Sequence, residues 1–138
     1  KFKKRINIIK TMTENEISYL IRKAIFNVYN GLGPGLLETV YQKVLVYELE
    51  DLGLEVKYEV PVPIVYNEIV FDCNFRIDIL VEDLVIVELK SVKGLEDVHY
   101  KQVSTYLKLS NKKLGILVNF NTDKILDSIK RIVNKLED

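Results

Sequence analysis

Apolar and polar residues change their period along the chain, and each change marks an element. Ile17, Leu20, Ile21, Ala24, Ile25 and Val28 recur at helical spacing and form one apolar stripe. Thr13-Glu14-Asn15-Glu16 precedes them as a capping box, with the hydroxyl at the cap and the acid three residues on. Gly31-Leu32-Gly33-Pro34-Gly35 breaks the period. A second helix is predicted from about Leu36 to Leu52, stopped by Gly53. The period then shortens to two. Val56 to Tyr66 reads as strand, and Pro61 and Pro63, which lack amide donors, assign it to a sheet edge or a strand end. Asn67-Glu68 is a turn, and Ile69 to Val81 returns as a strand that leads into a second one, Val85 to Lys90. A helix over about Glu96 to Ser110 follows. Leu114 to Phe120 is a nearly continuous apolar run, the mark of a buried strand. Reached through a helix, it should lie parallel to the strand before that helix, by a right-handed crossover. In the tail, Ile125, Leu126, Ile129, Ile132, Val133 and Leu136 fall at helical spacing, and periodicity predicts a helix over Lys124 to Leu136.

Two helices, three strands, a helix and a strand give an α/β fold, a mixed β-sheet flanked by helices. The 138 residues, 48% apolar and 29% charged, are those of an ordinary globular chain. Residues 13–138 are expected to form a single domain behind a basic, flexible leader, residues 1–12, that carries Lys1, Lys3, Lys4, Arg5 and Lys10. Cys73, the single cysteine, excludes an intrachain disulfide and a cysteine metal cluster. No apolar run reaches the length of a membrane span and no export signal is evident, so a cytoplasmic setting with no membrane partner is expected. The formal net charge is zero, which does not advertise nucleic-acid binding by the molecule as a whole. The Gly-rich loop has no GK[ST] after it and no strand before it, which excludes a P-loop.

The chemistry-bearing stretch is Phe75 to Lys90. Ile77, Ile79 and Val81 alternate with Arg76, Asp78 and Leu80, and Val85, Val87 and Leu89 alternate with Ile86, Glu88 and Lys90. A two-residue turn at Glu82-Asp83 would set Asp78 opposite Val87 and mix the faces. A three-residue loop, Glu82 to Leu84, sets Asp78 opposite Glu88 and Ile79 opposite Val87, leaving one apolar face and one charged face. An odd loop or a bulge is therefore predicted. Two adjacent carboxylates repel as bare anions, and a cation or a raised pKa must relieve them.

An Asp followed across a hairpin by Glu-x-Lys resembles the active site of the PD-(D/E)XK nuclease superfamily. Gly35, Glu38 and Tyr41 add a G-x-x-E-x-x-Y pattern, and Gly33-Pro34-Gly35-Leu36-Leu37-Glu38-Thr39-Val40-Tyr41 looks like the signature of the GxxExxY family within that superfamily. On the third helix His99, Gln102 and Tyr106 share a face, and Gln102-x-x-x-Tyr106 is similar to a motif that borders the metal site in several branches. The only histidine reads more simply as a solvated helix position. The resemblance implies a restriction-endonuclease-like core, α-β-β-β-α-β, and an edge strand at Ile129 to Val133 in place of the helix that periodicity predicts.

The resemblance further implies phosphodiester hydrolysis assisted by Mg2+ or Mn2+. Asp78, Glu88, the main-chain carbonyl of Leu89 and Glu38 would be the ligands, and Lys90 would stabilise hydroxide or the developing phosphate charge. Glu38, Asp78, Glu88 and Lys90 are then the catalytic set, and Gln102, Tyr106, Tyr41 and Arg76 the substrate-binding set. The substrate would be nucleic acid, DNA ahead of RNA. A dimeric Holliday-junction-resolvase-like endonuclease, a non-catalytic module that binds nucleic acid or protein, and an interaction protein with a solvated charged hairpin remain open, as do a homodimer and a protein partner. With zero net charge, positive charge must be concentrated near the site, at candidates such as Lys93, Lys101, Lys108, Lys112 and Lys113, or a partner must supply the grip.

Overall fold

A computed structural model describes residues 11–137. Most of the basic leader thus lies outside the described residues. The first helix, α1, spans Glu14–Leu32 and begins as its capping box dictates. The Glu16 amide donates to Thr13 Oγ1 at 3.2 Å, and the Thr13 amide donates back to Glu16 Oε1 at 2.9 Å. Its stripe Ile17, Ile21, Ala24, Ile25 and Val28 is buried. Helix α2, Glu38–Asp51, starts two residues later than its apolar pattern predicts. Gly33 and Gly35 hold positive φ of 68° and 99°, so the chain stays irregular until Glu38, which becomes the first helical residue.

Five strands form the main sheet in the order β1-β4-β5-β6-β7. They are β1 Val56–Pro61, β4 Arg76–Val81, β5 Val85–Lys90, β6 Leu114–Asn119 and β7 Ile129–Val133, while β2 Ile64–Tyr66 and β3 Ile69–Phe71 pair as a separate hairpin. β1, with Pro61 at its end, is the expected edge. The two long strands expected around the Asn67-Glu68 turn are each broken. One breaks at Val62-Pro63 and the other at Asp72 to Phe75, where the Asn74 amide bonds Asp72 Oδ1 at 3.0 Å and Asn74 turns to φ 61°. Cys73 therefore sits in an exposed loop, not in a strand.

The β4-β5 hairpin has the odd loop. Ile79 pairs with Val87 and Val81 with Val85, leaving Glu82, Asp83 and Leu84 between them. Helix α3, Asp97–Ser110, carries the chain over the sheet, and β6 pairs parallel to β5 as expected. Helices α1 and α2 cover one face, packing on Ile79, Val81, Val85, Val87 and Leu89. The other face is not simply charged: Leu80, Ile86 and Leu117 are buried there beneath Val103, Tyr106 and Leu107 of α3. Gly115 permits this close approach, since a Cβ at that position would stand 2.7 Å from Val103 Cγ1.

The tail corrects the helix predicted over Lys124 to Leu136. A 3-10 turn, Ile125–Ser128, leads into β7, which pairs antiparallel with β6 from Val118↔Ile129 to Leu114↔Val133. Ile129 and Leu136 pack with the α1-α2 layer, whereas Ile132 packs with the α3 layer. One helical stripe cannot serve both faces of a sheet, and a strand can. Among the described residues no helix is long and apolar enough to cross a membrane.

Candidate active site

Strand β4 leaves its ladders at Asp78. The β4-β5 pairing runs only as far as Ile79↔Val87, and on the other side β1 pairs through Tyr58↔Ile79 and Val60↔Ile77 while Glu59 between them turns to φ 52°. The side-chain alternation breaks at the same point. Ile79 packs with the α1-α2 layer and Ile77, two residues away, with the α3 layer, so the single apolar face expected to include both stops at Ile79. The peptide groups released at Asp78 are taken by side chains. Its amide donates to Glu88 Oε2 at 2.8 Å, and its carbonyl accepts from Gln42 Nε2 at 2.9 Å. In return the Leu89 amide donates to Asp78 Oδ2 at 2.8 Å. The two acids are thereby cross-linked to each other's strand, each through one oxygen.

Burial sets their electrostatics. Glu88 is only 2% exposed. Loss of hydration, then the neighbouring Asp78, pushes its carboxyl up to about 8, against the pull of the Asp78 amide and of Lys90. Asp78 is also raised, first by burial, with the Leu89 amide and Lys90 opposing. Without a cation the pair therefore keeps a proton at neutral pH. Lys90, half-buried and on the same face, donates to Gln102 Oε1 at 3.2 Å, and Gln102 Nε2 donates to the Tyr106 hydroxyl at 3.3 Å. The Tyr106 oxygen thus accepts from Gln102. Burial raises the Tyr106 pKa, and Gln102 opposes the shift.

Asp78, Glu88, Lys90, Gln102 and Tyr106 are brought together, and three other candidates stand differently. Glu38 caps the loop after β5, where its Oε2 accepts the Ser91 amide at 3.3 Å while Ser91 Oγ donates to the Leu36 carbonyl at 2.6 Å. It acts on Asp78 as a more distant like charge. Tyr41 is fully buried and stacked on Phe120 at 4.3 Å. Its hydroxyl donates to the Gly33 carbonyl at 2.5 Å and accepts the Leu36 amide at 3.2 Å, so it anchors the Gly-rich loop and does not face the carboxylates. The Arg76 guanidinium turns to the Phe75 carbonyl at 3.0 Å and to Asp72 at 3.6 Å. His99 closes the N-terminus of α3, its Nδ1 accepting the Glu96 amide at 2.9 Å.

Gln42 and Glu59 belong to the site and were not singled out in the sequence. Gln42 bridges Glu59 and Asp78, its Nε2 donating to Glu59 Oε2 at 2.8 Å as well as to the Asp78 carbonyl. The signal for Gln42 was its spacing of four from Glu38, which shares a helix face at least as well as the spacing of three to Tyr41. Glu59 carries no such signal, because it reaches Asp78 only through the irregular β1-β4 pairing.

Among the described residues no group of three or more His, Cys, Asp or Glu side chains gathers to hold a metal. Two carboxyls remain, both hard oxygen donors with one oxygen each outside the backbone bonds just described. That donor set fits Mg2+ or Mn2+, which keep several waters and need few protein ligands, and it does not fit a soft or all-protein site.

No curated protein and no solved structure matches the chain. A family model described as the PD-(D/E)XK nuclease superfamily matches residues 15–132, from the first turn of α1 into β7, a stretch that holds every residue of the site. The mixed five-stranded sheet with its three helices is consistent with that fold, and the chain belongs to the PD-(D/E)XK nuclease superfamily.

Proposed function

We propose that the protein is a divalent-metal-dependent nuclease that hydrolyses phosphodiester bonds in nucleic acid, DNA ahead of RNA, and that it belongs to the GxxExxY branch whose pattern Gly35, Glu38 and Tyr41 resemble. The observation that carries this reading is the Asp78–Glu88 pair, buried and raised, with Lys90 on the same face beside it. A purely structural hairpin would gain nothing from two buried acids that repel each other, and their removal from water costs several kcal/mol per ion by order of magnitude. A cation site accounts for them.

Asp78 and Glu88 would hold Mg2+ or Mn2+, with the Leu89 carbonyl as a further oxygen and Glu38 acting from outside the immediate pair. When bound there, the ion would supply charge to polarise the scissile phosphate and acidify a water. The chain's own residues do the rest. Gln102 steadies the Lys90 ammonium, which stabilises negative charge on phosphate oxygens or on hydroxide. The Tyr106 hydroxyl donates a hydrogen bond to a phosphate oxygen. Gln42 fixes the Asp78 backbone and so the direction of its carboxylate. Tyr41 and Glu38 fix the two loops that border the pair.

Cleavage of single-stranded, duplex and four-way-branched DNA and of RNA, with Mg2+ or Mn2+, tests the reading. Metal-dependent cleavage by the wild type that disappears in Lys90→Ala and Glu88→Ala is expected. Absence of cleavage together with absence of metal binding by calorimetry would turn the assignment to a non-catalytic binding module.

A further inference from the structure

The carboxylate pair occupies only one end of the face that α3 covers. Across the sheet Glu88 lies beside Leu117 on β6, and Leu117 beside Lys130 on β7. Lys130 therefore projects from the same face as Glu88, two strand spacings or on the order of 10 Å away. There a cavity of about 300 Å³ opens, bounded by α3, by the loop after β5 and by the segment leading into β7. Two lysines, Lys93 and Lys130, are among the residues that line it, together with Asn121, Ser128, Tyr100 and one acid, Asp127.

The wall that carries Lys93 is fixed in place. Asn119, almost fully buried, brackets the preceding residue: its Oδ1 accepts the Val92 amide and its Nδ2 donates to the Val92 carbonyl, both at 3.0 Å. Asn121 Nδ2 adds a bond to the same carbonyl at 3.2 Å. Lys93 also follows Lys90 by three residues, so this loop joins the carboxylate site to the cavity directly.

Two ammonium groups with amide and hydroxyl donors around them suit an anion with several oxygens. The volume stands at the lower end of small-ligand pockets, about 300–1,000 Å³, which suits one nucleotide and is too small for a base pair. Tyr100 offers a ring for a base or sugar. We propose that this cavity is a subsite for an unpaired nucleotide flanking the scissile phosphodiester of a DNA strand, with its phosphate held by Lys93 and Lys130 and its base or sugar against Tyr100. The inference rests on the nuclease reading for the identity of the strand. Asp127 opposes an anion, and its carboxylate limits how tightly the phosphate is held.

The test measures binding, not cleavage. A dye-labelled single-stranded DNA oligonucleotide is titrated against the full chain in EDTA, where no metal-dependent turnover occurs, at a series of salt concentrations. Lys93→Gln and Lys130→Gln should each weaken binding about tenfold and each lower the slope of log affinity against log salt by about 0.7. Lys23→Gln, exposed on α1 in the layer on the opposite side of the sheet, should change neither. Asp127→Asn should tighten binding severalfold. Unchanged affinity and slope in both lysine variants would overturn the proposal, as would weaker binding by Asp127→Asn, which points to a cationic ligand. No oligonucleotide binding in the millimolar range would overturn it too. Metal-dependent cleavage with an unaffected lysine pair would leave the nuclease reading standing without this subsite.

Discussion

Replacing Glu88 by glutamine should stabilise the metal-free protein, and by an amount that grows with pH. The fold does not need an anion at this position, because a glutamine side-chain oxygen can still accept the Asp78 amide as Glu88 Oε2 does at 2.8 Å. What the substitution removes is a carboxyl raised from 4.5 to about 8 by burial and by Asp78. A folded-state pKa above the free value means that the native state keeps a proton which the unfolded chain gives up. The stability linked to Glu88 is thus complete below pH 4.5 and is lost as pH rises through about 8. At about 1.4 kcal/mol per pK unit, the loss reaches about 3 kcal/mol at pH 7 and has a ceiling of about 5 kcal/mol above pH 8. For a domain of this size 3 kcal/mol corresponds to roughly 10 °C in Tm.

Thermal or urea unfolding in EDTA at pH 5, 6, 7 and 8 measures it. Wild type should lose stability across that range, Glu88→Gln should lose much less, and the two should converge at the acid end. Mg2+ should then raise the wild-type Tm at pH 8, because a bound cation favours the ionised pair, and should do little for the variant. A wild-type stability that is flat from pH 5 to 8, or a variant no more stable than wild type at pH 8, would refute the buried, proton-sharing pair on which the site is built.

Three further outcomes are expected. Lys90→Ala should reduce cleavage by at least a hundredfold while shifting Tm little, since Lys90 is half-buried and its ammonium bonds Gln102 at the surface of the site; a large Tm loss would mark it as a structural residue. Gln42→Ala frees the Asp78 carbonyl and should weaken Mg2+ affinity, read by calorimetry, about 10- to 100-fold, as loss of a group that orients a metal ligand does; unchanged affinity would remove Gln42 from the site. Gly115→Ala puts a methyl group 2.7 Å from Val103 Cγ1 and should cost about 1–3 kcal/mol in urea unfolding through overpacking of α3 on β6, and neutrality would mean that Val103 moves freely.

The elements whose periodicity serves one face were legible from the residues. The α1 stripe is buried on one side and its capping box forms, and the parity argument at Glu82 to Leu84 gives the register that brings Asp78 towards Glu88. Where a segment serves two faces, periodicity misleads. Ile129 and Ile132 are spaced like a helix and pack in opposite layers, because β7 is a strand at the edge of the sheet. The same distinction explains Tyr41. A spacing of three from Glu38 suggests a shared face, yet at the start of α2 that face divides. Glu38 and Gln42 look along the sheet end, while Tyr41 enters the core and lies on Phe120.

The least legible feature is the one that builds the site. Asp78 is set apart by an interruption of pairing on both its sides, at Glu59 and beyond Val87, and no local pattern marks such a break. Its logic is physical nonetheless. A carboxylate in a regular ladder would have both peptide groups bonded to strands and its side chain directed by the pleat alone. Releasing the Asp78 peptide lets Glu88 and Gln42 take those groups and lets the Leu89 amide take a carboxylate oxygen, so each acid is aimed by hydrogen bonds at about 2.8–2.9 Å. These bonds hold both carboxyls in place without a ligand, and a cation bound between them would relieve their repulsion.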